Sequence, residues 1–230
     1  MTLAWFQGLA DEYSLVAPDT PGQPGKRVLA EPADFGPWAV DVLDGLGIER
    51  APMIGVSHGS GVLLEVAAHA PGRIEAAALV APAGFGSPPS LALARVIVPS
   101  IAYRLVPRRT LLIKALGAMF SDPVETIDDV VIETIGKALR TADLRAEFPG
   151  PDDPSDLSEF HVPTVVILSQ HDPFFPAERI RPRAEQVLPS LADCVILETE
   201  RHFLSARGQT RTTEAIRSFL ANVSGGSDDT

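Results

Sequence analysis

Met53-Ile54-Gly55-Val56-Ser57-His58-Gly59-Ser60-Gly61 sets a serine between two glycines, each two residues away. Upstream, Ala51 to Ile54 reads as the end of a short buried strand. Downstream, Val62, Leu63, Leu64, Val66 and Ala67 read as a buried helix that stops at Ala70-Pro71-Gly72. Ser57 therefore falls on a sharp strand-to-helix turn. Such a turn strains the serine backbone and is expected to leave no room for a Cβ at Gly55 or Gly59. The strain lifts the hydroxyl above the sheet edge. The helix that follows aims its unpaired N–H groups, that of His58 first, at the place where a negative oxygen would form. Ser60 competes for the same role, but His58 and Val62 stand where it would need glycine. On its own the pattern also describes ordinary punctuation between a strand and a helix, so the rest of the chain has to decide.

Working outward, apolar strand-like segments recur at Ser14–Ala17, Ala51–Ile54, Ala76–Val80, Thr164–Leu168 and Cys194–Leu197. Helix-like segments at Leu3–Ala10, Phe35–Leu46, Gly61–Ala70, Pro176–Leu188 and Arg211–Asn222 precede, separate and follow them. In the last helix Ala215, Ile216, Phe219 and Leu220 form one apolar stripe. Alternation of this kind predicts an α/β fold, a mostly parallel sheet wrapped by helices.

The interval 84–161 breaks the rhythm. It opens on Gly84-Phe85-Gly86-Ser87-Pro88-Pro89 and closes on Pro149-Gly150-Pro151-Asp152-Asp153-Pro154, and between these punctuators the chain is helical and apolar. Asp122-Pro123-Val124-Glu125 reads there as an N-cap, an N1 proline and an N3 glutamate. The expected organisation is a core of 1–83 and 162–222, a helical lid of 84–161 and a disordered acidic tail from 223 to 230. Ile101, Tyr103, Leu112, Leu116 and Phe120 are candidates to line an acyl pocket in the lid. The plainer alternative is that they pack the lid itself.

In an open parallel sheet the reactive groups gather just past the carboxyl ends of strands. After Thr164–Leu168 comes Ser169-Gln170-His171-Asp172-Pro173, and after Cys194–Leu197 comes Glu198-Thr199-Glu200-Arg201-His202-Phe203. Serine, aspartate and histidine thus stand in that order along the chain, each just past a strand-like segment. A serine hydroxyl is a poor nucleophile until an imidazole removes its proton, and the imidazole needs a carboxylate to fix its tautomer.

With Ala17-Pro18-Asp19-Thr20-Pro21-Gly22, the Ser57 turn, Asp172-Pro173 and His202-Phe203, the chain resembles the α/β-hydrolase fold family over nearly its whole length, in particular the family's small bacterial carboxylesterases. The resemblance implies Ser57 as nucleophile, Asp172 as acid, His202 as base and the His58 N–H as one oxyanion donor. It also implies a small-molecule ester as substrate and no cofactor. Other triad activities of this fold, such as cofactor-free haloperoxidase, share the same residues, and a non-catalytic binding protein on the same fold is the rival from another class. A serine nucleophile argues against the dehalogenase and epoxide hydrolase chemistries, which resemble a version with a carboxylate in its place.

The chain departs from the pattern at its start. The family usually carries three strands before the helix that corresponds to Leu3–Ala10, and a His-Gly loop that supplies the second oxyanion donor. Relative to that pattern the sequence is N-terminally truncated. Three expectations follow: a natural start upstream, direct pairing of the two strands that flank the gap, or another copy filling it as a homo-oligomer through unpaired sheet positions. Glu200-Arg201 also stands where the family has small residues.

Composition narrows the partners. A net charge of −11 over 230 residues disfavours nucleic acid and an anionic membrane surface, both of which need clustered Lys and Arg. Cys194 is the single cysteine, so no intramolecular disulfide and no cysteine metal cluster is expected, and a reducing cytoplasm is compatible. His171 adjoins Asp172, yet no tight spacing of ligands argues for a metal. The N-terminus lacks a basic region followed by a long apolar core, and no apolar run approaches the length of a membrane span.

Overall fold

The computed structural model describes residues 2–21, 35–86, 90–141, 148–151 and 153–225. Gly22, Ser87-Pro88-Pro89, Asp152 and residues 226–230 of the expected tail lie outside the described residues, whereas its first residues, 223–225, are the end of the last helix and not disordered.

Four strands, β1 (Ala51–Val56), β2 (Ile74–Val80), β3 (Thr164–Ser169) and β4 (Leu191–Leu197), pair in parallel in the order β1-β2-β3-β4. β3 is buried at every position and β2 at all but Glu75, as expected of central parallel strands covered on both faces. Their side chains alternate between two cores. Ala77, Leu79, Val166 and Leu168 face a core completed by Leu63, Leu64, Val66 and Ala67 of α3 (His58–His69) and by Ile180 and Ala184 of α7 (Ala177–Val187). Ala76, Ala78, Val80, Val165 and Ile167 face the other way, against Phe6, Leu9 and α8 (Ala206–Gly225). The predicted stripe of the last helix is what seals this second core: Ile216, Phe219 and Leu220 are buried, with Ala215 packed beside them.

The first predicted helix and strand require correction. Helix α1 is a single turn, Thr2–Trp5, followed by a 3-10 turn at Gln7–Leu9. Ser14–Ala17 forms no strand, and among the described residues β1 is the edge of the sheet. Direct pairing across the gap does not occur. An extended segment with no neighbouring ladder has nowhere to place its N–H and C=O groups except solvent or loops, so its apolar residues are used differently: Tyr13 and Leu15 pack against the second core. α2 (Phe35–Gly45) then covers α3, with Ala39 reaching the first core.

Between β2 and β3 the chain forms α4 (Leu91–Leu105), α5 (Arg109–Met119) and α6 (Asp129–Thr141). Ser90 caps α4 by accepting from the Leu93 N–H at 3.0 Å. Asp122-Pro123-Val124-Glu125 opens only a 3-10 turn at Val124–Thr126 with Pro123 as its cap residue, and the long helix starts later, at Asp129. The three helices enclose a core of their own from Val96, Leu112, Leu116, Met119, Phe120, Val124 and Ile132. Both ends of this insertion meet on α3. A Cβ on Gly150 would lie 2.5 Å from the Gly84 Cα, one on Gly61 would lie 2.1 Å from the Pro149 carbonyl oxygen, and the Gly150 N–H donates to Glu65 Oε1 at 2.9 Å. Gly84 and Gly150 have φ of 99° and 151°, which L side chains rarely adopt, so glycine is needed there for backbone shape as well as space.

Candidate active site

Ser57 occupies the single residue between β1 and α3, with φ 51° and ψ −115°. A non-glycine residue with positive φ is held there only if its surroundings over-determine it. Three hydrogen bonds do so. The Ser57 N–H donates to Val80 O at 2.8 Å, the Ser57 carbonyl accepts from Ser60 N at 2.9 Å, and it accepts again from Ala83 N at 3.2 Å. Ser60, the competing serine, is fully buried and donates its hydroxyl to Gly55 O at 2.8 Å. It ties the turn together from beneath and is not presented to solvent.

The two glycines of the turn have different reasons to be there. A Cβ on Gly55 would lie 2.5 Å from the Ser60 Cα, whereas one on Gly59 would meet nothing within 4 Å. The expected crowding at Gly59 is therefore corrected: the space beside it is open, and of the two glycines only Gly55 makes a close approach.

His202 lies on the loop after β4 and Asp172 on the loop after β3, so all three residues stand past the carboxyl ends of parallel strands of one sheet. Ser57 Oγ is 2.9 Å from His202 Nε2, and His202 Nδ1 is 2.8 Å from Asp172 Oδ2. The imidazole is nearly buried and the carboxylate wholly so. The second carboxylate oxygen, Asp172 Oδ1, accepts from the backbone N–H groups of Phe174 at 2.8 Å and Phe175 at 3.1 Å. Three donors thus satisfy a carboxylate that burial would otherwise penalise. With Nδ1 turned to Asp172, Nε2 faces the serine hydroxyl.

The imidazole is walled by rings. Phe174 and Phe203 stand edge-on to it at centroid distances of 4.8 and 5.3 Å, and Phe175 lies at 5.8 Å. These phenylalanines carry no polar chemistry, so sequence patterns for reactive residues pass over them. Their only signal is position next to Asp172 and His202.

His58 begins α3, so its backbone N–H belongs to the first helical turn and has no carbonyl four residues back to pair with. Its side chain packs edge-on against Phe35 at 5.8 Å, and burial holds its imidazole below the ordinary pKa of 6.5. Glu200 is buried two residues before His202. Burial pushes its carboxyl up, but hydrogen bonds from Ser205 Oγ (2.6 Å) and Ser205 N (2.8 Å), with further help from Ser121 and Arg211, outweigh that and hold it below the usual range.

Most of the five lid candidates pack within the insertion itself. Leu112, Leu116 and Phe120 are buried in the core of α4–α6, Tyr103 packs against that core, and Ile101 is 42% exposed. His171 is exposed, and its backbone N–H donates to Glu200 O at 3.0 Å. Among the described residues no three His, Cys, Asp or Glu side chains gather as a metal site would require, and no helix is long and apolar enough to cross a membrane.

A model of the alpha/beta hydrolase family matches residues 2–210. The chain is 24% identical over 241 aligned positions to an uncharacterised carboxylesterase, nap, of Bacillus subtilis, covering 94% of this chain and 74% of that protein. It is 43% identical over 84 residues to the dihydrolipoyllysine-residue acetyltransferase component of the acetoin cleaving system of Cupriavidus necator, covering 34% of this chain and 22% of that much longer protein. Among solved structures, a thermophilic esterase from Thermogutta terrifontis superimposes with a TM-score of 0.68 at 21% identity, over 96% of this chain and 84% of the other.

Proposed function

Because the chain belongs to the alpha/beta hydrolase family, we propose that it is a serine hydrolase that cleaves a small carboxylic ester through a Ser57–His202–Asp172 relay. The observation that carries this reading is the unbroken pair of hydrogen bonds, 2.9 Å from Ser57 Oγ to His202 Nε2 and 2.8 Å from His202 Nδ1 to Asp172 Oδ2. The carboxylesterase among its relatives supports the substrate class.

In this mechanism Ser57 Oγ attacks the ester carbonyl carbon while His202 Nε2 takes the hydroxyl proton. The imidazolium so formed is stabilised by Asp172, whose orientation the Phe174 and Phe175 N–H groups fix. Negative charge gathering on the carbonyl oxygen is met by the His58 N–H at the positive end of α3. His202 then returns its proton to the departing alkoxide, leaving an acyl group on Ser57. A water deprotonated by the same nitrogen attacks that acyl carbon and releases the carboxylic acid, and the proton goes back to Ser57. The apolar walls around His202 keep other water from solvating the relay.

The test is turnover of p-nitrophenyl acetate and butyrate by the parent and by Ser57→Ala, together with labelling by a fluorophosphonate probe. Loss of nearly all turnover and of the label in Ser57→Ala is expected, since removing a triad member leaves only a residual rate. Equal rates in the two proteins would remove Ser57 from the chemistry. A folded parent that takes up no label would favour the non-catalytic binding protein.

A further inference from the structure

Glu200 and Arg201 precede His202 and send their side chains in opposite directions. Glu200 turns inward to Ser205. Arg201, exposed, reaches the end of α5: its guanidinium donates to the carbonyl oxygens of Gly117 and Phe120, the latter at 3.3 Å, and its backbone N–H donates to Ser121 Oγ at 2.7 Å. A helix C-terminus presents unpaired carbonyls and partial negative charge, and α5 has no basic residue in its own last turn. Arg201 supplies that cation from another part of the chain.

Two backbone bonds run beside it. The Phe203 N–H donates to Met119 O at 2.9 Å and the Ser121 N–H donates to Phe203 O at 2.9 Å, forming a short parallel bridge. Over this bridge the rings of Phe120 and Phe203 stack at 4.5 Å with 23° between their planes. His202 therefore sits between Arg201 and Phe203, both of which are bound to the end of α5. Phe174 and Phe203, which wall its imidazole, also pack against the core of α4–α6.

We propose that Arg201 is a positioning residue that locks helix α5 onto the histidine loop, so that the α4–α6 insertion and the base of the relay behave as one body. The insertion then cannot swing away from the sheet without drawing His202 away from Ser57. The catalytic consequence rests on the serine hydrolase reading, whereas the mechanical coupling does not. A surface arginine that merely capped a helix would affect melting and leave turnover alone.

Arg201→Met, Arg201→Lys and Ser121→Ala separate these cases, measured by p-nitrophenyl butyrate kinetics and by amide hydrogen exchange. In Arg201→Met, kcat should fall about ten- to a hundredfold, the scale of a small misplacement of a reacting group. KM should stay within about twofold, because the loss is one of transition-state geometry. Exchange should rise together in 117–121 and 201–205. Arg201→Lys, which keeps a cation at the helix end, should recover most of kcat, and Ser121→Ala should shift both readouts in the same direction by less. Parent-like kcat in Arg201→Met, or faster exchange in 117–121 alone, overturns the proposal. Should Arg201→Met fail to fold, the Lys and Ala variants are judged by the same criteria: parent-like kinetics and exchange in Ser121→Ala would then overturn it. If Ser57→Ala turns over ester as the parent does, concerted exchange still supports the lock and only its catalytic consequence is lost.

Discussion

A methyl group on Gly55 would press on the Ser60 Cα at 2.5 Å and on the Gly59 carbonyl oxygen at 2.7 Å, both backbone atoms that cannot step aside. Gly55→Ala should therefore cost about 1–3 kcal/mol of stability and slow turnover by displacing Ser57. Gly59 lies within α3 with open space where its Cβ would be. Gly59→Ala should gain about 0.5–1 kcal/mol, because alanine loses less backbone entropy in a helix. Denaturant unfolding of the two variants checks both signs. Glu200 gives a pH dependence. Its carboxyl is held below its ordinary value of 4.5 in the fold, so the unfolded chain binds the proton more readily. The stabilisation it provides is complete above that unfolded value and disappears as pH falls through the lower folded one. Glu200→Gln should melt lower than the parent near neutral pH, and the gap should close on acidification, as thermal scans from pH 7 to pH 3 would register. A gap that stays constant with pH would remove Glu200 from the acid response. Ser57, Asp172 and His202 are legible as candidates because each stands within a few residues of the carboxyl end of a strand. The tasks of Ser60, Glu200 and Arg201 are not legible in the sequence, since a buried hydroxyl or carboxylate, or an arginine that reaches a distant helix end, reveals its partner only once the fold supplies one.

Among the elements, the central strands were legible because burial on both faces demands an unbroken apolar run, and the helices on either side because one apolar stripe is enough to mark them. Ser14–Ala17 misled for a related reason. A short apolar run marks a segment that will be half buried, but a strand also requires a neighbour to accept its ladder, and that neighbour is a property of the sheet. Asp122–Glu125 shows the same limit at a helix start. Cap, proline and glutamate are in sequence order, yet the backbone there makes one 3-10 turn and continues to Asp129. The lid candidates illustrate how burial alone leaves purpose open. Leu116 is fully buried among Leu112, Met119 and Ile132, so its burial is spent on holding α4–α6 together. Leu116→Ala should destabilise the protein by about 2–5 kcal/mol through the cavity it leaves, measured as a lowered urea midpoint. If the midpoint does not move, the insertion has no core of the kind described.

Across the whole molecule, Ser57 and His202 are 145 positions apart and Asp172 and His202 are 30 apart, so the hydrogen-bonded chain Ser57–His202–Asp172 forms only because β1, β3 and β4 run in the same direction. Parallel strands bring their carboxyl ends to one side, and the loops that leave those ends meet there. The amino-acid sequence by itself determined the class of fold, the candidates for the relay and their order along the chain, since local periodicity and the chemistry of side chains next to strand ends are properties that neighbours in sequence already carry. Tertiary structure alone decided that the first extended segment stays out of the sheet, that Gly55 and not Gly59 makes the close approach, and that the loop carrying His202 is bonded to the end of α5. Each of these depends on which backbone atoms from distant segments come within a few ångströms of one another, and no local pattern encodes that distance.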